Sequence, residues 1–116
     1  MKTYVTTQLY QSGIYLQNNK TWHTEDSPYK AAFVIEIIEK NKIDFENCAD
    51  IGCGAGLVLE LLAKQYPNKA LAGFEPSPDA QHLISQRAKL ENLRFYEKNF
   101  FESDETFDLV TCLDVL

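Results

Sequence analysis

From residue 47 onward, short apolar runs alternate with stretches of helical length and two-sided polarity, and this alternation organises the chain. Residues 47–51, 70–75, 93–98 and 107–113 are runs of strand length. Between the first three runs lie residues 55–65, closed by Tyr66-Pro67-Asn68, and a segment that Ser77-Pro78-Asp79 caps and that continues to about Leu90. Strands alternating with helices in this way predict an α/β fold built on a parallel sheet with helices on both faces. Right-handed crossovers then leave few possible strand orders. Ahead of this unit, Ser27 reads as an N-cap with Pro28 at the first helical position, and the helix so begun ends near Lys40, before Asn41-Lys42. Ala32, Phe33, Ile35, Ile37 and Ile38 form its apolar side, and Glu36, Glu39 and Lys40 its polar side. Residues 1–27 are polar and aromatic, with Tyr4, Tyr10, Tyr15 and Trp22 spread among Gln, Asn and Thr. No repeat or low-complexity segment interrupts the pattern. The chain therefore divides into a lead-in and helix (1–46) and an α/β unit (47–116).

The most informative local feature lies where the first strand breaks. In Cys48-Ala49-Asp50-Ile51-Gly52-Cys53-Gly54-Ala55-Gly56 three alternating glycines lead directly into Leu57-Val58-Leu59-Glu60. Glycine admits positive φ and has no Cβ, so such a turn lets the backbone approach a ligand closely, beside the N–H groups that open the next helix. Strand, glycine turn and helix N-terminus together predict a nucleotide-cofactor cradle. A dinucleotide fingerprint wants a small third residue at G-x-G-x-x-G/A. Leu57 stands there, and the third glycine comes one residue earlier, at Gly56. Asp50 would also repel a pyrophosphate but welcome a cationic ligand. An NAD-dependent oxidoreductase is therefore disfavoured.

These residues resemble the first motif of the class I S-adenosylmethionine-dependent methyltransferases, an acidic residue followed by x-G-x-G-x-G, matched by Asp50, Gly52, Gly54 and Gly56. The resemblance covers roughly residues 47–116. The family's second motif, an acidic residue ending strand two that binds both ribose hydroxyls, is matched by Glu75, before Pro76. Its third, which hydrogen-bonds the adenine amino group and is commonly Asp, falls on Asn99, with Phe100 offering a backbone N–H and a ring wall. Residues 107–116 look like the fourth. The resemblance implies a Rossmann-like three-layer αβα fold with strand order 3-2-1-4, truncated relative to the family's seven strands. It implies S-adenosyl-L-methionine as cofactor, held by Asp50, Gly52, Cys53, Gly54, Gly56, Glu75, Pro76, Asn99, Phe100 and Leu113. Each residue alone has an ordinary conformational or surface explanation. Their order on successive strand ends, where open α/β sheets bind ligands, is what carries weight.

Composition narrows the acceptor. With 17 acidic against 11 basic residues the formal charge is −6, which argues against nucleic acid and anionic membranes as partners. The stretch Leu113-Asp114-Val115-Leu116 lacks the [DNS]-P-P-[FYW] pattern of methyltransferases that act on nucleobase amines. The expectation is an oxygen or carbon acceptor on a small molecule, with a non-catalytic cofactor-binding or interaction module as the alternative. His23 and Asp114 are candidate general bases; the resemblance implies that residues 1–46, with His23, form a lid over the cofactor, while a surface or helix-entry histidine is the more ordinary reading of His23. Cys48, Cys53 and Cys112 form no C-x-x-C pair and read as small apolar residues, so no metal site is expected. No apolar run reaches a membrane span, and residues 1–8 lack a signal-peptide core, which gives a cytoplasmic expectation. Because the family order leaves strand four at an open sheet edge, a homodimer through that edge is also expected.

Overall fold

In a computed structural model of the chain the described residues are 24–113. His23, Asp114, Trp22, Tyr10 and Tyr15 lie outside them. A 3-10 turn, Thr24–Asp26, opens directly into α1 (Ser27–Lys40). Then follow β1 (Asn47–Ile51), α2 (Leu57–Gln65), β2 (Ala70–Phe74), α3 (Pro78–Ile84), β3 (Leu93–Tyr96), a 3-10 turn at Phe100–Glu102, and β4 (Leu109–Thr111). The four strands form one parallel sheet in the order β3-β2-β1-β4. Asp26, rather than Ser27, occupies the N-cap of α1, and Ser27 is itself helical and buried.

The strand order explains where the helices sit. The crossovers β1-α2-β2 and β2-α3-β3 are right-handed and step in the same direction, so both helices fall on the same face of the sheet. There Leu59, Leu62 and Ala63 of α2 and Ala80 and Ile84 of α3 bury against Cys48, Leu71 and Leu93, and Ala31, Val34 and Ile38 of α1 join the same core. The connection from β3 to β4 steps back across the sheet. Among the described residues it covers the opposite face with aromatic rings rather than with a helix. Phe74, fully buried, stacks on Tyr96 at 5.0 Å and meets Phe100 and Phe107 edge-on at 5.3 and 5.9 Å, over Ala49 and Ala72.

One expected element is shorter than its sequence suggests. The helix after β2 stops at Ile84 instead of continuing toward Leu90. The Gln86 and Arg87 N–H groups bond three residues back, to Leu83 and Ile84, which tightens the last turn. The next donor, the Ala88 N–H, is taken by the Glu60 carboxylate of α2 at 2.8 Å. A distant charged acceptor thus keeps the helical ladder from resuming. At the opposite end of the sheet, the Asn92 side-chain amide donates to the carbonyls of Ala63, Tyr66 and Lys69 at 2.9–3.1 Å, tying the exit of α2 to the start of β3.

Glu60 links stability to pH. Burial disfavours its charged form, but the Ala88 N–H, Lys64 at 3.1 Å and Arg87 at 3.9 Å outweigh that and hold its carboxyl below the ordinary 4.5. A depressed folded-state value means stability present above the unfolded value and lost as pH falls through the folded one. Glu60→Gln should therefore cost about 1 kcal/mol at neutral pH, the scale of a charge-assisted hydrogen bond exchanged for a neutral one. That difference should shrink below the ordinary carboxylate value in thermal melts recorded from pH 7 to pH 3. A difference independent of pH would refute the assignment.

Candidate functional site

The site forms where the sheet's carboxyl ends meet the glycine turn. Asp50 sits near the end of β1, a central strand, and only 4% of it is exposed. Beyond Ile51 the chain cannot continue straight, because the Gly52 and Cys53 N–H groups both donate to the Phe74 carbonyl, at 2.8 and 3.2 Å. Those bonds fold the turn against the end of β2. Gly52, Gly54 and Gly56 all have positive φ, at 67°, 57° and 80°. Gly56 is the left-handed N-cap of α2, and its carbonyl accepts the Glu60 N–H that starts the helix. Helix α2 thus begins at Leu57, two residues later than the sequence suggests.

Glu75 is the hinge of the arrangement. It follows β2 directly and is buried, and its Oε1 accepts the Gly54 N–H at 2.9 Å while its Oε2 accepts the Ser77 N–H at 3.1 Å. Gln81 of α3 clamps the corner, donating from Nε2 to the Glu75 carbonyl at 3.1 Å and to that of Ser77 at 3.4 Å. Each carboxylate oxygen offers two lone-pair sites and each of these bonds uses one. The pair of oxygens therefore retains the capacity to accept from two adjacent hydroxyls. Asp50 is held from the other side, where the Thr111 hydroxyl of β4 donates to Oδ1 at 2.7 Å. Sequence inspection missed both Gln81 and Thr111. Thr111 was detectable only through strand pairing, since parallel register sets it opposite Asp50.

The remaining expected site residues have these surroundings. Pro76 is exposed, between Glu75 and Ser77. Asn99 caps the 3-10 turn after β3, its side chain accepting the Phe101 N–H at 3.0 Å while Glu102 accepts the Asn99 N–H at 2.9 Å. The Phe100 ring leans on Phe74, and its neighbour Phe101 is 80% exposed. Leu113 packs against the main core.

Cys53 lies inside the turn and is buried. Burial, then the charges of Asp50 and Glu75, push its thiol well above the ordinary range, and burial with Asp50 pushes Cys48 up to about 12. A thiol so protonated is inert at neutral pH. Cys112 is exposed. A thiol-specific chromogenic reagent should accordingly label one cysteine promptly in the folded chain and all three in denaturant. Rapid labelling of two or more in the native state would contradict the burial of the turn.

A Rossmann-like sheet in this order, with a glycine turn after its first strand and a buried carboxylate after its second, defines the cofactor half of a class I methyltransferase fold. Comparison with known proteins agrees. A family model described as a methyltransferase domain matches residues 49–116. The ubiquinone biosynthesis O-methyltransferase of Aliivibrio fischeri (strain MJ11) is 32% identical over 94 residues, covering 78% of this chain and 39% of that protein. An amino pentose methyltransferase from Micromonospora echinaspora, solved with bound S-adenosylmethionine, is 32% identical with a TM-score of 0.57, over 90% of this chain and 41% of that one. The plantazolicin methyltransferase BpumL shares the fold at 20% identity and a TM-score of 0.63, over 83% of this chain and 40% of that one. The chain belongs to the class I S-adenosylmethionine-dependent methyltransferases. It spans about two-fifths of the length of each of these relatives.

The residues present fit the family's cofactor. Glu75 has the acceptor capacity for a ribose diol, the glycine turn leaves backbone beside it, and Asp50 places negative charge where a cationic amino acid end would be favoured over a pyrophosphate.

Proposed function

We propose that this chain is the cofactor-binding part of a methyltransferase that acts on an oxygen or carbon of a small molecule. The observation that carries the proposal is the Glu75 carboxylate, buried at the end of β2 and joined to the glycine turn through the Gly54 N–H. S-adenosylmethionine supplies a methyl group activated by its sulfonium. The chain's own contribution is placement: Glu75 for the ribose, the turn from Gly52 to Gly56 with Cys53 for the amino acid portion, and Asn99, Phe100 and Leu113 around the adenine. In-line transfer rewards such alignment, because holding two reactants in register removes much of the entropic barrier. The acceptor class is supported by the absence of Pro-Pro after Asp114 and by the O-methyltransferase relative.

The test is transfer of a labelled methyl group from S-adenosylmethionine to a panel of phenols, carboxylic acids and amines. Label on oxygen or carbon is the expected outcome. Label confined to amines would overturn the acceptor class.

The second part of the proposal is self-association. Among the described residues β4 pairs only with β1, and Val110 on it is 43% exposed. An open apolar edge favours pairing with a second copy. Sedimentation at micromolar concentration should show dimer, and monomer alone would refute it.

A further inference from the structure

We infer that Thr111 is a positioning residue which, through Asp50, sets the affinity of the site for the amino acid end of its ligand. The inference rests on the cofactor assignment above and goes one residue further.

Strand β4 runs parallel to β1 with Thr111 opposite Asp50, so the two side chains leave the sheet on the same face. The Thr111 hydroxyl has one proton and two acceptors in reach, Asp50 Oδ1 at 2.7 Å and the Ala49 carbonyl at 3.4 Å. The shorter contact is also the charged one, and a charge-assisted bond is the stronger of the two. That bond fixes one oxygen of a carboxylate that is only 4% exposed. In such surroundings the direction of a carboxylate decides how strongly it acts on a nearby cation, because water does not average the field. The sheet itself has no need of this hydroxyl. Valine has the same shape and is at least as well suited to a half-buried strand position. What valine cannot do is hold Asp50. Asp50 in turn stands two residues before the first glycine, at the start of the turn assigned to the amino acid portion.

The experiment compares Thr111→Val and Thr111→Ser with the unaltered full chain, using two probes in equilibrium titrations. S-adenosylhomocysteine carries the amino acid end, and methylthioadenosine keeps the adenosine but lacks that end. Thr111→Val should weaken S-adenosylhomocysteine about tenfold, the scale of one hydrogen bond to a charged group. Methylthioadenosine should bind unchanged, and Thr111→Ser should restore the first ligand. In an Asp50→Asn background, Thr111→Val should have little further effect, which a double-mutant cycle reads directly. Equal losses for both probes would show a merely structural role and overturn the inference. Unchanged S-adenosylhomocysteine affinity in a folded Thr111→Val chain would also overturn it. Should Thr111→Val not fold, failure of Asp50→Asn alone to discriminate between the two probes overturns it instead. An unaltered chain that binds neither probe would remove the cofactor assignment itself, a distinguishable result.

Discussion

Replacing Gly56 with alanine is expected to destabilise the fold by roughly 2–5 kcal/mol, the combined scale of a left-handed non-glycine residue and an overpacked core. Two independent costs meet at this position. Its φ of 80° is one that residues with a Cβ rarely adopt. An added Cβ would also lie 2.6 and 2.7 Å from Cε1 and Cζ of Phe95, a ring fixed on β3, with the Arg87 stem at 3.4 Å. Neither cost can be relieved by rotating a side-chain tip. In thermal denaturation the loss should appear as a fall of more than about 10 °C, given the few degrees per kcal/mol typical of a domain this size. A fall of only a degree or two would mean that the turn is not built as described. Gly73 makes the useful contrast. Its added Cβ would crowd Leu59, Cys53 and Phe95 at 2.6–2.8 Å, but φ is not in the left-handed region, so only the packing cost should remain.

The second large effect concerns Glu75, whose substitution by alanine should weaken cofactor binding by about 1–3 kcal/mol, the cost of leaving buried hydroxyls without an acceptor. The same substitution removes the acceptor of the Gly54 and Ser77 N–H groups, so the turn itself should loosen. The two consequences can be separated. Glu75→Gln keeps one carbonyl oxygen, an acceptor for one of the two N–H groups, and so should recover part of the thermal stability, while its amide donor cannot serve a diol that needs two acceptors. Stability partly recovered without affinity is the expected pattern. Unchanged affinity in Glu75→Ala would remove the ribose assignment.

What the sequence revealed, and what it concealed, follows from the range of each interaction. The glycine turn was legible because positive φ is a local demand that glycine meets at each of three positions. The strands and their order were legible because apolar runs alternate with helical stretches and crossovers have one hand. Glu75 was legible as a carboxylate at a strand end. The early stop of α3 was not, because Glu60, which takes the Ala88 N–H and keeps the ladder from resuming, lies 28 residues upstream. Thr111 was hidden for the same reason, being 61 residues from Asp50. Asn99 and Phe100 were found as positions, but their packing was not foreseen: the Asn99 side chain caps a 3-10 turn, and the Phe100 ring packs on the aromatic face around Phe74. Nothing in the residues from 97 to 107 announces that face, since it depends on which rings the sheet brings together.

Whether this chain carries an S-adenosylmethionine cradle is decided by calorimetric titration of the folded chain with S-adenosylhomocysteine and, separately, with NAD. Saturable one-to-one binding of S-adenosylhomocysteine and no binding of NAD are expected. Binding of NAD, or no uptake of S-adenosylhomocysteine by a chain that melts cooperatively, would contradict that assignment.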